Sequence, residues 1–302
     1  MLISQQQGQQ MIHQNNSKSV LGLLGWRHCR NALPKTLIEA VKQDLSNLME
    51  DHSGSKHLTI FKSIDRQAKK FKAEVSGLQS YLQKNLHRMP AVYELALSQE
   101  INKILQTNIG WQESELSPIH NIRVKFPRKY GISSFTTVPW HQDYGATDPS
   151  QEDLEIVTAW IPLTFTSSHH GGIEIIPRTT NFGWLKHIRG NRGPQIKEEV
   201  LEKILKENYD LKPVRVKTKP GDVILFDQYT IHRSLVNTSR QIRWSIDMRY
   251  VAKGSMSGRP GMWSHNPIVG NFKHGDVISL IKERQTSLDD PKVIIKKRVD
   301  AN

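Results

Sequence analysis

Hydrophobic residues in the N-terminal half of the chain follow the spacing of amphipathic helices. Pro34 suits the first turn of a helix, and four apolar residues after it recur every three or four positions: Leu37, Val41, Leu45 and Leu48. The same kind of pattern predicts further helices over residues 64–86 and 92–105. Residues 1–18 are rich in Gln, Asn and Ser and offer little to bury, so we expect a disordered arm before the helices.

From His120 onward the pattern changes to short segments rich in β-branched residues, separated by Gly, Pro and Ser. Five of these segments are predicted strands: Asn121–Phe126, Glu155–Leu163, Gly172–Ile176, Asp222–Phe226 and Ile242–Tyr250. A predicted helix over Glu198–Asn208 interrupts them. Strands of this length and spacing are typical of a sandwich or barrel, and the N-terminal helices would cover one of its faces.

The net charge of the chain is +13 at pH 7, from 42 Lys+Arg against 29 Asp+Glu. Clustered cations bind nucleic acid, but here the charge is spread over several stretches, and no zinc-finger, RNA-binding or Gly-Arg signature accompanies it. We therefore expect a solvated basic surface and no nucleic-acid partner. A basic surface could also attract a substrate bearing carboxylate, sulfate or phosphate, and the sequence leaves that alternative open.

The length of 302 residues suits one large catalytic domain or two small ones. No apolar run approaches the roughly 20 residues needed to span a bilayer, and the first residues lack the basic and apolar regions of a secretory signal. The single cysteine, Cys29, excludes an intramolecular disulfide and a Cys-based zinc cluster. We expect a cytoplasmic protein that has no membrane partner and acts on a small molecule.

Two candidate metal ligands lie close together in Trp140-His141-Gln142-Asp143. In an extended segment, side chains at i and i+2 point the same way, so His141 and Asp143 can converge on one point. An imidazole nitrogen and a carboxylate oxygen there would supply two ligands to a divalent metal. Because His-x-Asp occurs often by chance, the pair becomes informative only with a third ligand.

A third candidate ligand follows a predicted turn and strand. Lys219-Pro220-Gly221-Asp222 leads into the apolar run 223–226, and His232 comes after a short loop, close to Ser234. The predicted strands between the two histidines form a sheet that can bring them together. Two histidines and one carboxylate on one face of a metal leave three positions open, which is the facial triad of non-haem iron(II) oxygenases.

The last predicted strand carries an arginine on its inward face. Arg243 and Ser245 share one face by the two-residue period, whereas Ile242, Trp244 and Ile246 occupy the other. A guanidinium inside a barrel needs an anionic partner, and its fork binds a carboxylate through two hydrogen bonds. The partner is either an Asp or Glu of the protein or, given the two clusters upstream, a bound dicarboxylate.

The stretch from about Arg123 to Pro260 resembles the phytanoyl-CoA dioxygenase family of iron(II)- and 2-oxoglutarate-dependent oxygenases. The matching motifs, in chain order, are His141-Gln142-Asp143, Thr158-Ala159-Trp160-Ile161-Pro162-Leu163, Gly171 to Pro177, Gly221-Asp222 with Phe226, His232-x-Ser234 with Asn237, Arg243-x-Ser245, and Asp247-Met248-Arg249-Tyr250. The resemblance implies a mainly β fold with α-helices, namely a double-stranded β-helix (a cupin-like jelly roll) with supporting N-terminal helices. We therefore expect a single oxygenase domain over residues 19–295, with its jelly-roll core at about 119–252 and a charged tail at 296–302.

The resemblance also implies roles for individual residues. His141, Asp143 and His232 would bind Fe(2+). Five residues would contact the cosubstrate 2-oxoglutarate: Arg243, Ser234, Trp160, Ser245 and Arg123. Tyr144 and Gln142 lie next to the predicted ligands and are candidate substrate contacts.

One segment departs from the family pattern. The family commonly follows its Ile-Pro with Gly-Ser-His, but this chain has Pro177-Arg178-Thr179-Thr180, which leaves open what replaces the contact of that histidine. Asp143 does match the family. Halogenases of the superfamily have a small residue at that position so that chloride can bind, and the carboxylate here therefore favours oxygenation.

The implied reaction is hydroxylation of a small polar molecule, such as an alkaloid in natural-product tailoring, with Fe(2+), 2-oxoglutarate and dioxygen. The alternatives are an acyl-CoA hydroxylase of phytanoyl-CoA type, a non-catalytic metal- or ligand-binding jelly roll, and a nucleic-acid demethylase. Release of succinate would exclude the non-catalytic protein. Tight, strongly salt-dependent binding of DNA or RNA would indicate the demethylase.

Overall fold

The computed structural model describes residues 21–53, 81–82, 85–130, 137–151, 154–190, 193–260, 262, 266–271, 277 and 279–283. The predicted arm at 1–18 and the predicted tail at 296–302 lie outside these residues, as does most of the predicted helix over 64–86. Within the part of the chain that is described, no helix is both long enough and apolar enough to cross a membrane.

The α-helices with defined bounds are α1 (Lys35–Ser53), α2 (Pro90–Ala96), α3 (Gln99–Ile109) and α4 (Glu198–Glu207). Helix α1 begins directly after Pro34, as predicted, and its apolar face is buried. The prediction of a single helix over 92–105 is wrong in one respect, because two helices, α2 and α3, occupy this stretch. The Ser98 side chain accepts a hydrogen bond from the Ile101 backbone N–H at 3.3 Å and caps the start of α3, which separates the two helices.

The described residues contain eleven strands: β1 (Trp26–Cys29), β2 (Ser114–Leu116), β3 (Asn121–Lys125), β4 (Val157–Pro162), β5 (Ile173–Ile175), β6 (His187–Gly190), β7 (Gly193–Ile196), β8 (Val214–Arg215), β9 (Val223–Asp227), β10 (His232–Ser234) and β11 (Arg243–Ala252). The five predicted strands are confirmed as β3, β4, β5, β9 and β11, with ends that differ by one or two residues. The other six strands have two to four residues each, too few to show a clear alternation in the sequence.

Two antiparallel sheets form the body of the fold. The larger sheet has six strands in the order β1-β9-β4-β11-β2, and β3 also pairs with β11. Strand β11 pairs with β4 on one side, and with β3 and then β2 along the other. The smaller sheet has the order β10-β5-β8, and β6 and β7 form a separate pair. Strand β11, which carries Arg243, therefore lies inside the larger sheet.

The two faces of the larger sheet bury different sets of apolar side chains. On one face the sheet packs against the helices, with contributions that include Val41, Tyr93, Ala159, Ile246 and Met248. On the other face Trp160, Ile224 and Phe226 pack with Ile173 and Ile175 of the smaller sheet. Because side chains alternate along a strand, the face of β11 opposite Ile246 and Met248 points into the space between the two sheets.

Candidate metal and cosubstrate site

The three candidate metal ligands come together in the structure. His141 and His232 lie opposite each other in an isolated antiparallel bridge, in which each backbone N–H donates to the other residue's carbonyl oxygen at 3.0 Å. Asp143 begins the short 3-10 helix that follows His141. Its Oδ1 atom lies 3.6 Å from His141 Nε2 and 3.8 Å from His232 Nε2. One ligand atom from each residue lies within 4.8 Å of the other two, so the three side chains do converge.

Hydrogen bonds orient both imidazole rings. His141 Nδ1 donates to the Pro139 carbonyl oxygen and His232 Nδ1 donates to the Thr230 carbonyl oxygen, each at 2.9 Å. A carbonyl oxygen only accepts, so Nδ1 carries the hydrogen and Nε2 keeps its lone pair. Burial lowers the pKa of both histidines below the usual range, so both rings are neutral at neutral pH. Each ring can therefore offer Nε2 to a metal.

The Asp143 carboxyl stays ionised although it is buried. Burial by itself would raise its pKa, but the Arg249 guanidinium holds that pKa well below the usual range. Two neutral nitrogen donors and one carboxylate oxygen form a donor set that suits iron(II), and three ligands leave positions for a cosubstrate and dioxygen. The residues present thus fit a mononuclear iron site.

A cavity with about 730 Å³ of empty space, a volume that includes open solvent at its mouth, lies against His141 and His232. Its walls include His141 and His232, together with Trp160 and Ser234, two of the predicted cosubstrate contacts. Four arginines also line it: Arg123, Arg233, Arg243 and Arg249. Both sheets contribute to the walls, so the cavity lies between them, in the space that the inward-facing side chains of β11 point into.

Arg243 differs from the other three arginines because it has no carboxylate partner among the described residues. The other three are paired as follows: Arg123 with Asp247 at 2.8 Å, Arg233 with Glu174 at 2.6 Å, and Arg249 with Asp143 at 2.8 Å. Arg243 donates to Ser245 Oγ at 2.5 Å and to the Gly171 carbonyl oxygen at 3.1 Å, while its Nε has no hydrogen-bond partner in the described part of the chain. Burial lowers the pKa of Arg243 to about 10, which leaves it charged at neutral pH. A buried, charged fork with a free donor suits a ligand carboxylate.

Ser234 presents a second donor to the cavity, beside a residue that the sequence analysis missed. Its Oγ accepts hydrogen bonds from Lys125 Nζ at 2.7 Å and from the Val138 backbone N–H at 2.9 Å, so its own hydroxyl hydrogen remains available to a ligand. Lys125 is 1% exposed and lies opposite Arg243 in the register of β3 and β11. The sequence signal that could have revealed Lys125 is a lysine on the inward face of a predicted strand.

The two predicted substrate contacts, Gln142 and Tyr144, do not line the cavity. The side-chain nitrogen of Gln142 donates to the carbonyl oxygens of Gly183 and Tyr229, both at 2.7 Å, and its side-chain oxygen accepts from the Leu185 backbone N–H at 2.8 Å. The Tyr144 ring packs edge-on against Tyr229. Both residues instead tie the turn that carries His141 and Asp143 to neighbouring loops.

His187 contacts the same turn and was also missed. The segment 177–180, where the chain departs from the family pattern, supplies no histidine. Instead His187 Nε2 accepts a hydrogen bond from the Gln142 backbone N–H at 2.9 Å, and its Nδ1 donates to the Leu185 carbonyl oxygen at 2.6 Å. Its ring stacks on Trp184 with the centroids 4.3 Å apart. No spacing rule connected His187 with the ligands, so only the fold reveals this support.

Gly171→Ala should destabilise the protein and weaken 2-oxoglutarate binding. Gly171 has φ +70°, and a Cβ there would overlap the Lys125 side chain and lie 2.8 Å from the Leu235 carbonyl oxygen. Gly254 has a similar φ, +79°, with nothing within 4 Å of an added Cβ, so Gly254→Ala is the matched control. Backbone strain alone should cost each variant about 1–2 kcal/mol of unfolding free energy. Thermal unfolding with and without 2-oxoglutarate should show a larger loss for Gly171→Ala; equal losses would contradict the predicted steric overlap.

Comparison with known proteins agrees with this geometry. The family model described as phytanoyl-CoA dioxygenase (PhyH) matches residues 25–245, which is well over half of the chain. Solved structures of similar fold include the non-haem α-ketoglutarate-dependent carbocyclase SnoK from nogalamycin biosynthesis, at 17% identity and a TM-score of 0.53, over 85% of this chain and 87% of SnoK. The non-haem monooxygenase ThoJ matches at 15% identity and a TM-score of 0.54, over 87% of this chain and 94% of ThoJ.

A further match is EctD from S. alaskensis, solved with 2-oxoglutarate and 5-hydroxyectoine, at 16% identity and a TM-score of 0.54, over 80% of this chain and 77% of EctD. These likenesses confirm the predicted fold, a double-stranded β-helix with supporting helices. Iron and 2-oxoglutarate are the cofactor and cosubstrate that such a domain uses, and the triad fits the metal. The chain belongs to the phytanoyl-CoA dioxygenase family and is a non-haem iron, 2-oxoglutarate-dependent oxygenase.

Proposed function

We propose that the protein hydroxylates a small polar molecule, with His141, Asp143 and His232 as the iron ligands. One observation carries the proposal: the three donors converge beside a cavity that His141 and His232 line together with Arg243, a buried arginine with no carboxylate partner among the described residues. In this proposal the same site binds both a divalent metal and an anionic cosubstrate. When bound, iron and 2-oxoglutarate supply the oxidising chemistry, in which 2-oxoglutarate is converted to succinate and CO₂ as dioxygen is consumed.

The residues of the chain bind and orient these partners. His141 and His232 would each present Nε2, because Nδ1 of each ring is held by a backbone carbonyl. Asp143 would present Oδ1, the carboxylate oxygen nearest to both rings. Fixing the ring tautomers in this way is what the outer hydrogen-bond partners of metal-binding histidines usually do.

In this proposal the distal carboxylate of 2-oxoglutarate lies against Arg243. The free Nε of Arg243 and the hydroxyl hydrogen of Ser234 are two donors that a carboxylate can satisfy. Trp160 would form a wall beside it, since its ring centroid is 5.8 Å from the Arg243 guanidinium carbon. Ser245 acts indirectly, by accepting a hydrogen bond from Arg243.

The remaining cavity residues support the proposal of a polar substrate. The side chains of Arg123 and Arg233 line the cavity and are 34% and 36% exposed. Asp247 lines it as well, and its Oδ1 has no hydrogen-bond partner in the described part of the chain. Charged groups of both signs favour a substrate rich in hydrogen-bonding groups over a hydrocarbon chain, because burying them against apolar surface is costly. A natural product that undergoes tailoring, such as an alkaloid, fits this description better than a fatty acyl-CoA.

Substrate-dependent release of succinate tests this function. The purified chain would be given Fe(II), 2-oxoglutarate and isotopically labelled dioxygen, and screened against polar metabolites and against acyl-CoA esters. We expect succinate together with a polar product that has gained one labelled oxygen atom, and neither with the Asp143→Ala variant. Turnover of acyl-CoA esters alone would contradict the proposed substrate, and succinate no higher than in the variant would contradict the proposed activity.

Asp143→Gly tests why the protein is an oxygenase and not a halogenase. The substitution opens a coordination position and leaves the Arg249 guanidinium without its Asp143 partner, so an anion such as chloride could enter. We expect hydroxylation to fall and metal binding by the variant to depend on chloride. Metal titrations in chloride and in sulfate buffers measure this, with the unaltered chain as the control that should show no dependence. Unchanged hydroxylation by the variant would contradict the role of Asp143.

A further inference from the structure

The Asp143 carboxylate is held by two side chains that the sequence analysis did not connect with it. Thr158 Oγ1 donates to Oδ2. Arg249 donates to the same oxygen through Nε at 3.2 Å and through Nη2 at 2.9 Å, and Nη2 also donates to Oδ1 at 2.8 Å. Oδ1 is the oxygen that lies 3.6 Å and 3.8 Å from the histidine Nε2 atoms. The two carboxylate oxygens therefore have different surroundings: Oδ2 accepts three hydrogen bonds, whereas Oδ1 accepts one, from Arg249 Nη2, and faces the histidines.

The register of the larger sheet places both donors. Arg249 on β11 and Thr158 on β4 are direct partners in the antiparallel pair, so their side chains project from the same face of the sheet. The two residues are buried, with 3% and 1% exposure. Two adjacent strands thus present a guanidinium fork and a hydroxyl to one carboxylate, and neighbouring packing limits how far either donor can move.

The way in which Asp143 binds a metal matters for the reaction. A carboxylate can bind a metal through one oxygen or through two. A three-ligand site leaves three positions, which a chelating 2-oxoglutarate and dioxygen would fill. A second bond from Asp143 would take one of the positions that dioxygen or the cosubstrate needs.

We propose that Arg249 and Thr158 are positioning residues that restrict Asp143 to binding iron through Oδ1 alone. They do so by occupying the lone pairs of Oδ2 with hydrogen bonds, and the fork of Arg249 also fixes the plane of the carboxylate. This inference rests on the proposed function, since it requires iron at His141, Asp143 and His232. It adds that strand β11 has two roles: Arg243 binds the cosubstrate, and Arg249, six residues later, orients the metal ligand Asp143.

Thr158→Val and Thr158→Ser form the matched pair that tests this role. Valine removes the hydroxyl at nearly constant volume, whereas serine keeps it. Metal affinity would be measured by anaerobic Fe(II) titration of the full-length chain. Nitric oxide, a stand-in for dioxygen, would then be added to the iron–2-oxoglutarate complex and its binding followed by electron paramagnetic resonance. We expect Thr158→Val to bind Fe(II) roughly 10-fold more weakly or worse and to bind nitric oxide less well, and Thr158→Ser to match the unaltered chain in both.

Arg249→Lys is the second variant, because it keeps a positive charge but loses the planar fork. It tests the positioning role if Thr158→Val fails to fold. We expect it to bind both Fe(II) and nitric oxide more weakly than the unaltered chain. If Thr158→Val, Thr158→Ser and Arg249→Lys all had the same Fe(II) affinity and nitric oxide binding, the positioning role would be overturned. The proposed metal site would not be affected by that result. Failure of the unaltered chain to bind Fe(II) would overturn the proposed function and, with it, this inference.

Discussion

His141→Ala, Asp143→Ala and His232→Ala will each reduce 2-oxoglutarate turnover to background and release most of the bound iron. Each substitution removes one of the three proposed iron ligands. Loss of a residue behind a metal ligand commonly weakens metal binding 10–100-fold, so loss of a ligand itself should cost more than roughly 100-fold. The measurements are iron content after dialysis and succinate formation at limiting Fe(II). If any one variant kept near-normal activity at limiting iron, that residue would not be a ligand.

The three variants should differ in stability, which separates loss of metal from loss of fold. Removing the Asp143 side chain leaves the buried Arg249 guanidinium without this carboxylate, and breaking a buried pair from one side costs about 3–5 kcal/mol. Each histidine variant loses one hydrogen bond to a backbone carbonyl, a smaller loss. Unfolding midpoints of the metal-free proteins should therefore be lowest for Asp143→Ala. His169→Ala, at an exposed position outside the cavity, is the control that should retain metal, activity and stability.

Arg243→Ala will weaken 2-oxoglutarate binding about tenfold to a hundredfold and leave iron binding nearly unchanged. A hydrogen bond to a charged group contributes roughly 1.5–3 kcal/mol, which corresponds to that range of dissociation constants. Arg243 is 3% exposed, and its Nε has no other hydrogen-bond partner in the described part of the chain, so bulk water cannot replace the lost contact easily. Titration of 2-oxoglutarate into the iron-loaded variant measures the change.

Three further variants sharpen the test of Arg243. Arg243→Lys should recover only part of the affinity, because an ammonium cannot reproduce the fork. Arg240→Ala, at an exposed position shortly before β11, should leave the affinity unchanged. Arg249→Ala should instead reduce metal binding, since Arg249 contacts Asp143. A large loss of 2-oxoglutarate affinity in metal-saturated Arg249→Ala, with little loss in Arg243→Ala, would show that the cosubstrate binds the other arginine.

The sequence sufficed to predict that His141, Asp143 and His232 converge and that Arg243 faces inward, because the signals for both are local. The i, i+2 spacing of His141 and Asp143 and the inward face of Arg243 follow from the alternation of an extended chain. The placement of His232 after a buried strand follows from its turn and apolar run. These signals need no knowledge of which strands are neighbours.

The pairing of the charges could not be predicted, because it depends on strand register. Period two places Arg243 and Arg249 on the same face of β11, and nothing in the sequence decides which of them meets a carboxylate of the protein. That outcome depends on Arg249 lying opposite Thr158, close to Asp143, and on Arg243 lying opposite Lys125. Lys125 and Thr158 were missed for the same reason.

The short strands of the fold escaped prediction for a different physical reason. Strand β1 (Trp26–Cys29) has only four residues, and its partner is β9, nearly two hundred residues away in the chain. Such a strand is defined by its hydrogen bonds and not by its own hydrophobic pattern, which is too short to show a period. The hairpin-like pair of β6 and β7 contains Gly and Pro, residues that are depleted in strands.

A crystal structure of the protein grown without oxygen, with Fe(II) and 2-oxoglutarate bound, tests the assignment of the site most directly. The proposal expects one metal ion, located by its anomalous scattering and bonded to His141 Nε2, His232 Nε2 and a single oxygen of Asp143. It also expects the distal carboxylate of 2-oxoglutarate to accept hydrogen bonds from Arg243 and Ser234. A metal ion bound elsewhere, or a 2-oxoglutarate molecule whose carboxylates both lie away from Arg243, would contradict it.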